Sequence, residues 1–244
     1  MTDNEIRMRK QRIDGKETRQ RLLDAASMVF AEKGFRETTN ADICEQAKVN
    51  TASVNYHFGS KEELYVEAWK HSFDKSLKDH PPDGGVAPDA PAEEKLRGRI
   101  LSFMQRVADP KTYELEIIHK EMACPTGLLQ GVIHSSLDTL HEGFKSVVAE
   151  LLGKDAAEQQ ILFCYMNVVD MCFGFVHQIH QNKMMKDSQV DRKIFPECDV
   201  EAFAEHVLRF CMAGIGSIRK ENERKSASSK KHSKKNMNKT RNKS

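Results

Sequence analysis

The 244-residue chain has no apolar run near the roughly 20 residues that a bilayer-spanning helix requires. Its first residues, MTDNEIRMRKQR, lack the apolar centre of a secretory signal. Both absences lead to the expectation of a cytoplasmic protein with no membrane partner. Six cysteines (Cys44, Cys124, Cys164, Cys172, Cys198 and Cys211) form no CxxC pair, which argues against a structural zinc site. Most fall at apolar positions of helical patterns, where Cys packs as a small hydrophobe. There is no strand-period segment, no glycine-rich phosphate loop, no nucleophile set beside a base and no metal-ligand spacing. The expectation is therefore a chain without catalytic residues, without a metal and without a cofactor: not an enzyme.

A general excess of positive charge is missing too. The net charge is +2, but it is unevenly spread. Residues 219–244 carry eleven Lys/Arg against two Glu, while residues 83–217 carry 13 basic against 20 acidic side chains. Residues 22–82 are also net acidic, with seven basic against ten. Any nucleic-acid reading must come from a motif, since bulk charge does not supply it.

Such a motif is present in residues 38–65, TTNADICEQAKVNTASVNYHFGSKEELY. A first helix is expected from about Lys16 to Lys33, with Leu22, Leu23, Ala26, Val29 and Phe30 on one stripe and Gly34 as its C-terminal stop. Thr39 then caps a second helix, with Asp42 three residues on as the reciprocal partner of a capping box. Val49 plugs a three-residue break, and Asn50 caps a third helix of roughly residues 51–58. Val54 and Phe58 point inward from it. Thr51, Ala52, Ser53, Asn55, Tyr56 and His57 are left outside, a set of hydroxyls, an amide and an aromatic suited to base edges, thymine methyls and phosphates. Ser60 caps a fourth helix, with Glu63 as its capping-box partner, and Lys61 stands in its first turn. A cation there opposes the helix dipole, which makes sense if Lys61 meets a DNA phosphate. Thr38 and Thr39 are further phosphate candidates. The bland alternative for the third helix is a polar surface turn; caps, turn and core spacing all favour the DNA-binding helix-turn-helix.

These residues in this order (Gly34-Phe35, Thr38-Thr39, Ile43, Ala47, Val49, then Val54 through Leu64) resemble the head of the TetR family of transcriptional regulators over residues 17–70. Lys48 stands where the family often has Gly, Ala52 at another such position, and Asn55 where many members have Tyr. His119-Lys120-Glu121 followed by Pro125-Thr126 is similar to a signature of the CecR-type subgroup, with Cys124 replacing an acidic residue. The resemblance implies an all-α homodimer with a larger helical ligand-binding and dimerisation domain. The expected organisation is a basic flexible arm (1–16), a helix-turn-helix domain with its connecting helix (17–78), the ligand-binding domain (79–218) and a basic disordered tail (219–244).

Beyond the Pro/Gly/Asp loop at 79–92, helical patterns cover about 92–108, 111–123, 126–152, 156–184 and 199–219, with a loop at roughly 185–198. Pro110 and Pro125 sit where a following helix is expected to begin. The last two helices are the most apolar, and small residues (Gly174, Ala213, Gly214, Gly216) permit close approach. They are the expected homodimer interface, the alternative being burial of the same surface within one subunit. Phe103, Met104, Met122, Phe163, Met166, Asn167 and Asp170 are the candidate lining of an effector pocket, although ordinary core packing or exposure suits each singly. The chain is thus expected to be a ligand-responsive repressor that binds a palindromic DNA operator as a homodimer and answers an unknown small-molecule effector. A second reading, carried by the +9 terminus, is a non-specific DNA-coating protein that relies on its tail.

Overall fold

A computed structural model describes residues 3–187 and 199–241, with side chains over residues 14–175 and 199–228. Nine helices and no strand occur among the described residues. They are α1 (Asp3–Glu37), α2 (Asn40–Ala47), α3 (Ala52–Phe58), α4 (Lys61–Asp79), α5 (Ala92–Ala108), α6 (Glu114–Ala123), α7 (Gln130–Leu152), α8 (Glu158–Asp187) and α9 (Val200–Arg241). The all-α class is as expected. Most of the loop foreseen at 185–198 lies outside the described residues, as do the side chains of residues 1–13 of the expected arm.

Four boundaries differ from expectation, each for a local reason. Helix α1 starts at Asp3 instead of near Lys16, so the expected arm is helical from that residue. Its Arg, Lys, Gln, Met and Glu residues are good helix formers and outweigh the lone Gly15. Helix α9 continues through Arg241 where a disordered tail was expected. No Gly or Pro interrupts residues 217–241, and Arg219–Glu223 (3.0 Å) and Glu221–Lys225 (2.6 Å) pair at i,i+4. Neither Pro110 nor Pro125 opens a helix. Around the first, Asp109 accepts from Lys111 N through Oδ1 and from Thr112 N through its carbonyl, making a turn that delays α6 to Glu114. After the second, the chain is held as a loop by Glu121, described below.

The chain divides into two compact units, Met1–Asp79 with Asp109–Leu137, and His80–Ala108 with Asp138–Ser244. Residues 109–137 group with the head and not with the rest of the larger helical region. In the first unit α1 packs on α4 and α6, and α2 and α3 close over α1 and α4. Its core is Leu22, Ala26, Phe30, Ile43, Val54, Leu64, Tyr65 and Trp69. Gly34 (φ 77°, ψ 171°) breaks the helical path of α1, so that Phe35 folds back on the rings of Phe30 and Tyr65, with centroids 6.2 and 5.0 Å away. Trp69 donates from Nε1 to the carbonyl of Glu114 at 3.2 Å, joining α4 to α6. A ring of this size at zero exposure is worth about 3–5 kcal/mol against truncation.

In the second unit α5 packs against α8 and α9, around Leu96, Ile100, Met104, Val148, Leu152, Val168, Cys172 and Val207. The loop before α5 is laid directly on that helix. Ser102 Oγ donates to Pro81 O at 2.6 Å, and a Cβ on Gly84 would stand 2.4 Å from the carbonyl oxygen of Gly98. The Gly84–Gly98 crossing therefore admits no larger residue at position 84 without moving backbone.

Candidate nucleic-acid interface

Helix α2 begins on a complete capping box. Thr39 Oγ1 accepts from Asp42 N at 3.1 Å, and Asp42 Oδ2 accepts from Thr39 N at 2.8 Å and from Thr39 Oγ1 at 2.7 Å. Lys33 Nζ reaches Asp42 Oδ1 at 2.9 Å. The Thr39 backbone bond first, then the Lys33 and Thr39 side-chain bonds, hold the Asp42 carboxyl down to about 2. The helix ends at Lys48, which adopts φ 54°, ψ 48°. Asn50 Oδ1 then accepts from Ala52 N at 2.9 Å and starts α3 as an Asx turn. The turn between α2 and α3 is thus fixed by backbone bonds at the α2 end, from Lys48 N to Glu45 O (3.1 Å) and Val49 N to Cys44 O (3.0 Å), and by the Asn50 side chain at the α3 end.

Val54 and Phe58 are buried, and so seat α3 on the head. Its outer face carries exposed Thr51, Ala52, Asn55 and Tyr56, with Tyr56 83% exposed, and half-buried Ser53 and His57. Tyr56 and His57 meet edge to face, centroids 4.8 Å apart. Burial, with Arg19 nearby, lowers the His57 imidazole below its ordinary 6.5 and keeps that face uncharged at neutral pH. An aromatic of this size left in water on a seven-residue helix has no packing role. It fits an element that reads another surface.

Thr38 and Lys61 are placed differently from the remaining candidates. Thr38 is 1% exposed, and its Oγ1 donates to Gly34 O at 2.7 Å, so its hydroxyl is spent inside the head. Lys61 Nζ donates to Phe35 O (3.1 Å) and Thr38 O (2.8 Å) and lies 4.3 Å from the centre of the Phe35 ring. Two of its three donors tie the α1–α2 connection to α4. Ser60 Oγ accepts from Glu63 N at 3.1 Å at the start of that helix.

The subgroup signature has a structural meaning that sequence reasoning missed. Glu121 Oε1 accepts from Thr126 N (2.8 Å), Thr126 Oγ1 (2.8 Å) and Gly127 N (3.0 Å), and Oε2 accepts from Tyr65 OH (3.1 Å). One carboxylate closes the loop after α6 and fastens it to α4. The Glu and Thr of the signature are the visible signal; their distance from Tyr65 in sequence hid the partner.

The effector candidates are dispersed. Met104 is fully buried in the core of the second unit, and Phe103 packs edge to face on Phe173 at 5.4 Å. Phe163 and Met166 are exposed on α8. Asn167 and Asp170 line a groove of about 460 Å³ between α8 and α9, together with Met171, Phe210 and Gly214. Met122 belongs to the other unit and is 74% exposed, which removes it from that set. Among the described thiols only Cys124 is exposed; burial pushes Cys172 up to about 12 and Cys211 to about 11, so both stay protonated.

A short polar helix presented by a capped turn on a helical head defines a helix-turn-helix DNA-binding protein. Comparison with known proteins makes this specific. Residues 22–68 match the family model of bacterial regulatory proteins, tetR family, and residues 92–215 match that of the HTH-type transcriptional dual regulator CecR, C-terminal domain. The chain is 28% identical over 160 residues to the HTH-type transcriptional dual regulator CecR of Shigella flexneri, covering 62% of this chain and 71% of that protein. It is 27% identical over 145 residues to the HTH-type transcriptional regulator SrpR of Pseudomonas putida, covering 59% and 63%. A TetR-like transcriptional regulator from Rhodococcus sp. RHA1 shares the fold at a TM-score of 0.62 and 20% identity, over 82% of this chain and 96% of that one. The chain belongs to the TetR family of transcriptional regulators, in its CecR-like group, and is a DNA-binding regulator and not an enzyme. No helix among the described residues is long and apolar enough to cross a membrane.

Proposed function

We propose that the protein is a ligand-responsive repressor that acts in the cytoplasm as a homodimer on a palindromic operator. Each head would lay α3 in a major groove, with Asn55, Tyr56 and Thr51 at base edges, Ala52 against a thymine methyl, and Ser53, His57 and Thr39 toward the backbone. The observation that carries the homodimer is the unpartnered apolar face of α8 and α9. Leu162, Phe163, Met166, Phe173 and Phe210 are all exposed in the single chain, Phe210 at 64%. Gly174, Gly214 and Gly216 on the same helices have open space where a side chain would go. A second copy laid on this face would bury the aromatics and fit against the glycines.

A small effector is assigned to the α8–α9 groove, which shares Phe210 and Gly214 with the proposed dimer face and so would be closed over by the second copy, with Asn167 and Asp170 as polar selectors within apolar walls. Binding there would regulate by favouring one of two head arrangements. Phe210→Glu should convert the dimer to monomer in sedimentation velocity and weaken operator binding with it. A wild-type chain that sediments as a monomer at micromolar concentration, or a footprint without two-fold symmetry, would remove this reading. The tail-dependent coating function is separable: deleting residues 220–244 should leave cognate-site affinity intact at moderate salt.

A further inference from the structure

We propose that the head carries a second ligand site, for a small organic anion with a flat apolar body, in the cleft between α1, the end of α2, α4 and the 109–113 turn. The cleft measures about 410 Å³, within the size range of small-ligand pockets. Four cations line it, each from a different element: Arg21 from α1, Lys48 at the cap of α2, Lys75 from α4 and Lys111 from the turn. Two of them, Lys48 and Lys75, come from residues 22–82, a stretch that holds seven basic against ten acidic side chains. Among the described residues no carboxylate lies within ion-pair distance of any of the four. The one acid in the lining, Asp24, is occupied by His71 Nε2 at 2.8 Å. Met28 and Tyr113 supply an apolar and an aromatic wall.

Lys48 is the one non-glycine residue with positive φ among the described residues, at 54°. Left-handed backbone costs an ordinary residue about 1–2 kcal/mol, and glycine would avoid that cost. The left-handed conformation is that of the α2 C-cap, and it leaves the Lys48 side chain on the lining of the cleft beside the other three cations. DNA phosphate is the less suitable occupant. The lining is concave, and no residue of α3 contributes to it.

The test uses phenyl phosphate as the probe, with phenol and inorganic phosphate in parallel, titrated into the full chain at about 0.15 M salt. Calorimetry should show one saturable site per chain for phenyl phosphate, weaker binding of inorganic phosphate and none of phenol. The double variant Lys75→Gln/Lys111→Gln should bind phenyl phosphate at least about tenfold more weakly, because two charge-assisted contacts are lost. It should keep the wild-type melting curve. Lys70→Gln, an exposed position on the same helix but outside the lining, should change nothing. Absence of saturation by about 10 mM, or equal weakening by Lys70→Gln, overturns the proposal. So does a loss of DNA affinity in the double variant with the salt slope reduced by about one per lysine, because the cleft would then be a backbone-contact surface. The probe titration needs no operator, so its failure leaves the repressor reading intact.

Discussion

Lys61 donates to the carbonyl oxygen of Thr38 across 2.8 Å, and the same ammonium reaches Phe35 O at 3.1 Å. The connection between α1 and α2 is thereby held from the first turn of α4. Lys61 is then a structural tie before it is a phosphate contact. Lys61→Ala should destabilise the protein by about 1–2 kcal/mol in urea unfolding, because two carbonyls lose a charged donor. Any change in DNA affinity should be the same for cognate and scrambled duplexes. Asn55→Ala and Tyr56→Ala should leave stability within about 0.5 kcal/mol, since both are exposed, yet narrow the gap between those two duplexes. An unchanged urea midpoint for Lys61→Ala would show that the tie has no weight.

Asp42 links acid stability to the start of the helix-turn-helix. Its carboxyl titrates at about 2 in the folded chain against an ordinary 3.8. A depressed carboxylate contributes stability that is complete above the unfolded value and disappears as pH falls through the folded one. Asp42→Asn should therefore be less stable than wild type at neutral pH. The gap should close between about pH 4 and pH 2, as followed by thermal melts at each pH. A gap that persists undiminished at the low end would show that shape, and not charge, makes the capping box.

Much of the head could be read in sequence because its signals are local. Thr39 and Asp42 are three residues apart and Val54 and Phe58 sit on one helical face, and both pairs took their expected places; Gly34 breaks the helical path where a stop was expected, although helix resumes to Glu37. Helix α5 was bounded at its expected ends because its apolar period runs unbroken from the loop to Ala108. The failures share a different cause. The role of Lys61 depends on carbonyls 23 and 26 residues away, and no side-chain pattern marks a carbonyl. Residues 109–137 join the head through Trp69 and Tyr65, contacts that no periodicity discloses. Thr38 and Thr39 are adjacent and alike in sequence, yet one hydroxyl turns inward to Gly34 and only the other remains at the surface.

The Glu121 carboxylate makes the CecR-like signature a mechanical element. It accepts two backbone N–H groups and two hydroxyls, one of them from Tyr65 on α4. Glu121→Gln replaces one acceptor oxygen by a donor that faces donors. It should cost about 2–3 kcal/mol, more than Tyr65→Phe, which removes one hydroxyl at about 1 kcal/mol. Chemical denaturation of both single variants and the double variant checks this. The pair should be non-additive, because each substitution removes the same Tyr65–Glu121 bond. Strict additivity would mean that the loop, and not α4, is all that Glu121 holds.

Lys48→Gly separates the backbone of the turn from its side chain. Glycine enters the left-handed region without the steric cost of a Cβ, but loses about 0.5–1 kcal/mol more than other residues in conformational entropy on folding. The balance favours the variant by about 0.5–1 kcal/mol, visible as a higher midpoint of urea unfolding. The same substitution removes one of the four cations of the head cleft, so phenyl phosphate should bind several-fold more weakly to the more stable protein. Stability and anion binding are expected to move in opposite directions. If both rose together, the side chain of Lys48 would have no part in the cleft.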